Sequence, residues 1–309
     1  MDAAIEVTSL SKSYKDVSVL KDVSFSVQRG TVFALLGSNG AGKTTTINIL
    51  TTLIKADGGT ATVAGHDVAA NPGEVRNEIS LTGQFAAVDD QLTGRENLVL
   101  IGDLRHVRNS AKTAAELLRR FGLEEAADRG VSTFSGGMRR RLDIAMSLIG
   151  SPAVVFLDEP TTGFDPEGRN EMWRTIRALA QGGTTVFLTT QYLEEADELA
   201  DAIAVLHQGR IVASGTANEL KKLVPGGLIE LAFQDEERRD AAAKVLGGSY
   251  ACTEGEGTTL TITSDGSVAE VASIFVGLRD AGIEPTEFAQ KVATLDDVFL
   301  KIVGTREDS

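Results

Sequence analysis

The stretch Gly37-Ser38-Asn39-Gly40-Ala41-Gly42-Lys43-Thr44-Thr45 constrains this chain more than any other. It matches G-x-x-x-x-G-K-[ST], a phosphate-binding loop. The apolar run Thr31–Leu36 before it reads as a buried strand, and Thr44–Leu53 after it reads as a helix. Strand, glycine loop and helix form the context that this motif needs. Glycine lets the backbone curl and turn its N–H groups onto phosphate oxygens, and the helix N-terminus adds partial positive charge at the same point. Lys43 supplies a mobile charge for the β- and γ-phosphates, and the Thr44 hydroxyl is suited to Mg²⁺.

A second apolar strand, Ala153–Leu157, ends in Asp158-Glu159. That is the expected other half of such a site. Asp158 would hold Mg²⁺ through water, and Glu159 would orient the attacking water or accept its proton. Further strands are read at Ile5–Val7, Val23–Val27, Ile79–Thr82, Thr184–Leu188, Ala202–Leu206 and Arg210–Val212, with a short hairpin over 61–67. Asp165-Pro166 is a helix start, with Asp at the N-cap and Pro in the first turn. Residues 92–150 read as helices, with Leu98, Ile101, His106, Ala115, Leu118 and Phe121 near helical spacing. Trp173 is expected in the core, Tyr14 in a polar loop, and Glu194, Glu195, Asp197 and Glu198 on a solvated helix face. Strands alternating with helices specify an α/β fold around a mostly parallel sheet, with ligands at the strand ends.

The 309 residues carry a net charge of −14, which argues against a nucleic-acid surface despite the short basic run Arg139-Arg140-Arg141. With three histidines and one cysteine, a zinc site is not expected. Cys252 alone forms no intrachain disulfide and fits a reducing compartment. No apolar run approaches the ~20 residues of a membrane span, and Met1–Ala4 does not open a signal peptide. Pro225-Gly226-Gly227 marks a boundary, giving domains 1–224 and 225–309. The second reads βαββαβ, the ferredoxin-like order, with an apolar helix face at Val268, Val271, Phe275 and Leu278 and a last helix, Leu295–Ile302, capped by Thr294.

Ser135-Gly136-Gly137 before a helix, Asp158-Glu159-Pro160 and Gly163-Phe164-Asp165-Pro166, in this order after the loop, resemble the ATP-binding cassette (ABC) ATPases over about residues 4–224. The resemblance implies a P-loop NTPase nucleotide-binding domain with an antiparallel β subdomain and a helical subdomain inserted at about 85–150. It also implies ATP and Mg²⁺ as ligands. Tyr14 matches the adenine-stacking aromatic. Gln84 matches the glutamine that senses Mg²⁺ and the attacking water. Ser135, Gly136 and Gly137 match the signature that closes on the opposite subunit's ATP, and Asp165 the loop joining the two sites. Gln191 stands where most members have histidine, so its contact to the γ-phosphate is not ionisable. Leu188–Asp197, Ala293–Leu300 and Gln84-Phe85 are similar to the daunorubicin-resistance type of drug-export ATPase. The implied partners are a second copy, bound on ATP binding, and a separate transmembrane permease, with the chain peripheral on the cytoplasmic face of a bacterial membrane. A soluble ABC ATPase and an importer subunit are the alternatives.

Overall fold

The computed structural model describes residues 3–83, 88–223, 228–255, 257–264, 267–291 and 294–307. It divides into two compact units, Met1–Ala217 and Asn218–Ser309. The first begins with a long hairpin, β1 (Ala3–Tyr14) and β2 (Val17–Gln28), then β3 (Val32–Leu36) and α1 (Lys43–Leu50). There follow β4 (Gly58–Val63), β5 (His66–Asp67), α2 (Pro72–Glu78) and β6 (Ile79–Thr82). Three helices come next, α3 (Gly94–Leu104), α4 (Ser110–Arg120) and α5 (Gly136–Ser147). The unit continues with β7 (Val154–Asp158), α6 (Pro166–Gln181), β8 (Thr185–Thr190), α7 (Leu193–Leu199), β9 (Ala202–His207) and β10 (Arg210–Gly215). Helix α8 (Ala217–Lys221) spans the division.

Two sheets build this unit. One, antiparallel, has the order β2-β1-β4-β5; the other has the order β10-β9-β3-β8-β7-β6 and is parallel except for β10. Every residue of β3, β7 and β8 is buried. Strands covered on both faces need continuous apolar runs, and Val-Phe-Ala-Leu-Leu and Val-Val-Phe-Leu supply them. Phe33, Phe187 and Phe156 are direct neighbours across β3, β8 and β7. Their rings lie 5.3 and 5.4 Å apart, and Phe25 of β2 stacks on Phe33 at 5.2 Å. This aromatic row joins the two sheets. It also sets the register in which Leu36, Asp158 and Thr190 end together at one edge.

Tyr14 is the last residue of β1, paired with Val17, and not in a loop: the hairpin extends the strand through the polar run Ser11–Tyr14. The helical stretch exists, and the residues at helical spacing divide between core and surface. Leu98, Leu118 and Phe121 are buried, whereas Ala115 and His106 are exposed and Ala114 and Leu117 point inward. Helix α3 starts at a full capping box, Thr93 with Glu96.

The second unit runs β11 (Leu228–Ala232), α9 (Glu236–Leu246), β12 (Cys252–Glu254), β13 (Thr259–Thr263), α10 (Val268–Asp280), β14 (Glu287–Lys291) and α11 (Leu295–Glu307). The order is βαββαβ, with sheet order β12-β13-β11-β14. Its core joins Ile229, Leu231, Leu260 and Ile262 to Leu246, Ile274 and Leu278. Val268 is 86% exposed, because the inward stripe of α10 is Val271, Ile274, Phe275 and Leu278. The expected boundary Pro225–Gly227 lies outside the described residues.

Phe187 touches three other rings. Phe187→Ala is expected to cost about 3–5 kcal/mol, and Phe187→Leu under about 1.5 kcal/mol, in urea unfolding at equilibrium. A cost for the alanine variant no larger than that of an exposed substitution would refute the role given to the row.

Candidate functional site

The loop between β3 and α1 needs glycine at particular places. A Cβ on Gly37 would lie 2.4 Å from the Leu206 carbonyl oxygen, and one on Gly42 would lie 2.6 Å from Leu20 Cδ2. Gly42 also has φ 112°, and Gly40 has φ 78°, a region open to glycine. Ser38, Asn39 and Gly40 are exposed, while Gly37, Ala41 and Gly42 are buried. Gly42 caps α1 with no side-chain hydrogen bond, so the first-turn N–H groups face the curl of the loop. Thr45 follows Thr44 in the first turn and is half-buried.

Lys43 is buried, contrary to a picture of a freely mobile charge. Its Nζ donates to the carbonyls of Gly37 (2.8 Å) and Ser38 (3.2 Å) and stands 3.2 Å from Glu159 Oε1. Thr44 stays exposed, and its hydroxyl donates to Asp158 Oδ2 at 3.2 Å. Thr189 donates to Asp158 Oδ1 at 2.5 Å. Glu159 has φ 47°, a conformation that non-glycine residues rarely hold. Its N–H donates to the Thr189 carbonyl (3.2 Å) and to the Thr189 hydroxyl (3.1 Å). Gly37 donates its N–H to the Thr190 carbonyl at 3.1 Å, which places half-buried Gln191 beside the start of the loop. So Lys43, Thr44, Asp158, Glu159 and the segment carrying Gln191 meet at the ends of β3, β7 and β8.

Ser135 caps α5 and accepts from the Met138 N–H at 3.3 Å. Asp165 caps α6 and accepts from the Gly168 N–H at 2.8 Å. Ser135, Gly136 and Gly137 share one surface groove with Gly163 and Asp165. Among the described residues, no hydrogen bond or ion pair joins 135–137 to 37–45. Tyr14 is 46% exposed, with Lys12 Nζ 5.6 Å from its ring centre. Gln84 and Phe85 lie outside the described residues.

Two buried charged residues near the site were not anticipated as such. Arg140, read as part of a basic run, donates to the Gly83 carbonyl (2.7 Å) and to Asp143 (3.0 Å), tying α5 to the end of β6. Glu195, read as part of a solvated face, is wholly buried, while Glu194, Asp197 and Glu198 are exposed. Its Oε1 accepts from Thr161 (2.7 Å) and the Trp173 indole N–H (3.2 Å), joining α7 to the segment after Glu159 and to α6. Positions 195, 196 and 199 share one helix face with the buried Ala196 and Leu199. That spacing was the signal in the sequence.

Burial pushes the Glu195 carboxyl above its ordinary 4.5, and nearby Glu159 adds to the rise; the Thr161 and Thr190 hydroxyls and the Trp173 indole pull it back. A carboxyl raised on folding favours its neutral form there. Its stability contribution is therefore complete below the ordinary value and lost as pH climbs through the raised one. Arg140 lies within electrostatic range but does not reverse this direction. Glu195→Gln keeps an acceptor and carries no charge, so its melting temperature should gain on the parent's as pH rises above 4.5. A difference that stays constant from pH 4 to 8 would refute this.

The ABC transporter family model matches residues 20–162. A daunorubicin resistance ATP-binding protein of Streptomyces coeruleorubidus is 47% identical over 99% of this chain and 97% of its own length. A Nod factor export ATP-binding protein of Sinorhizobium fredii is 37% identical over 98% of this chain and 87% of its own length. Among solved structures, an ATP-binding subunit of an ABC transporter superposes with TM-score 0.64 at 30% identity, covering 71% of this chain and 92% of that one. A loop shaped for phosphates, an acidic pair of which Glu159 meets its lysine and Asp158 its threonine, and relatives matched over nearly full length lead to one conclusion: this chain belongs to the ATP-binding cassette family and is an ATP-binding and ATP-hydrolysing protein of that family.

Proposed function

We propose that this chain powers export of a drug-like or antibiotic small molecule through a separate membrane subunit. Support comes from the relatives, which are named for daunorubicin resistance and Nod factor export. No helix among the described residues is long and apolar enough to cross a membrane. A pathway would therefore come from a permease, with this chain peripheral on its cytoplasmic side. Domain 1–224 is the motor and 225–309 an accessory domain.

The observation that carries the mechanism is the convergence of Lys43, Asp158 and Glu159 at one strand edge while Ser135–Gly137 sit apart in a groove with Asp165. The loop N–H groups of 37–45 cradle the phosphates and Lys43 neutralises the β- and γ-oxygens. Thr44 and Asp158, already 3.2 Å apart, suit Mg²⁺ through water, as does Gln84. Bound there, Mg²⁺ supplies charge neutralisation at the phosphates. Glu159 orients the attacking water and takes its proton, and Gln191 donates its amide to the γ-phosphate. The ring of Tyr14 stacks on the base. The signature Ser135–Gly137 lies at a helix N-terminus, an anion site that one chain cannot close on its own loop. A second copy, head to tail, completes two composite sites joined through Asp165.

Glu159→Gln should bind ATP and accumulate as a closed dimer with Mg·ATP in size-exclusion chromatography, because the amide still pairs with Lys43 but accepts no proton. Lys43→Ala should lose about 10³ in turnover, or ~4 kcal/mol. It should also melt lower than the parent, since it leaves Glu159 without its cation. Normal hydrolysis by either variant contradicts these roles. With the permease present, drug-like compounds should stimulate ATPase activity; failure of every such compound would leave the ATPase assignment standing and overturn export.

Gln191→Ala should slow turnover by roughly 10²–10³, by analogy with oxyanion donors, with little change in ATP affinity. Gln191→His should add a limb near pH 6.5 to kcat, because histidine titrates there and an amide does not. Parental turnover in Gln191→Ala would remove Gln191 from the site.

A further inference from the structure

Thr189 is wholly buried at the end of β8, where the sequence shows only a strand running out. Its hydroxyl serves both residues of the acidic pair. As donor it meets Asp158 Oδ1 at 2.5 Å, and as acceptor it meets the Glu159 N–H at 3.1 Å. The register pairs Asp158 with Thr189 directly across β7 and β8. Asp158 thus has one oxygen held from the sheet side by Thr189, while the other faces the Thr44 hydroxyl at 3.2 Å. The Glu159 backbone sits at φ 47°, and every hydrogen bond of its N–H goes to Thr189. Such a conformation persists where neighbouring groups over-determine it.

We propose that Thr189 is a positioning residue for ATP hydrolysis: its single hydroxyl orients the Asp158 carboxylate toward Mg²⁺ and sets the backbone from which Glu159 reaches the water. The inference rests on the roles given above to Asp158 and Glu159. A hydroxyl with one proton and two lone pairs can donate to a carboxylate and accept an amide proton at once. Valine has nearly the same shape and does neither. Partners that orient a ligating carboxylate commonly matter by 10–100-fold in metal affinity or activity, roughly speaking.

The test compares the parent, Thr189→Val, Thr189→Ser and Asp158→Asn as purified full-length chains. It reads kcat and KM, and the affinity of a fluorescent ATP analogue with Mg²⁺ and with EDTA. For Thr189→Val the expectation is a fall in kcat of about 10–100-fold and a comparable loss of the affinity that Mg²⁺ adds, with affinity in EDTA unchanged. Thr189→Ser should recover most of both. A packing role gives the opposite ranking, because serine loses the methyl group and valine keeps it; so serine worse than valine overturns the proposal even if valine folds poorly. Equal weakening with and without Mg²⁺, or a parental valine variant, also overturns it. Asp158→Asn separates the two readings. If it keeps the full Mg²⁺-dependent gain, the assignment of Asp158 fails. If it loses that gain while Thr189→Val keeps it, Thr189 alone is dismissed.

Discussion

Everything at the site depends on the register of three strands. Phe33, Phe187 and Phe156 stand side by side in β3, β8 and β7, buried and in ring contact. A slip of one residue in any strand would turn its phenylalanine to the other face. The same slip would move the phosphate loop, Asp158 or Gln191 out of line. Core packing and site geometry are therefore one constraint. The apolar row opposes the slip, and the strand ends keep their alignment as a consequence.

At that edge the charges are arranged around a shared cation. Lys43 is held by two loop carbonyls and by Glu159, all within 3.2 Å. A buried ammonium needs such partners, because desolvation without them is costly. Phosphate oxygens are acceptors of the same kind. The site holds its cation through groups that a nucleotide can replace in kind.

Around this centre lies a belt of buried polar contacts from elements distant in sequence. Thr189 serves Asp158 and Glu159 from β8, and Glu195 holds Thr161 and Trp173 from α7. Arg140 holds the Gly83 carbonyl from α5. Each contact ties a segment that carries catalytic or signature residues to a different helix or strand. Arg140 thus links the segment after β6 to α5, Thr189 links the acidic pair at the end of β7 to β8, and Glu195 links the segment after β7 to α6 and α7, each through a single side chain.

The sequence by itself determined the loop, the acidic pair, the alternation of strands and helices and the order βαββαβ of the second unit, because these are local patterns: glycine spacing, apolar runs and cap residues. It also carried the family, through separated motifs in one order. Only the tertiary structure decided what buried side chains do. Tyr14 ends a strand because its partner Val17 is three residues away across a turn. Glu195 is a core acid and not a surface one, since donors from Thr161 and Trp173 converge on it. Val268 faces water although it shares a helix face with Val271, Phe275 and Leu278, because it is the first residue of α10 and the core is built from Val271 onward. A charged letter reads as solvated until the partners that make its burial tolerable are known, and those partners lie 22 and 34 residues away in the chain for Glu195.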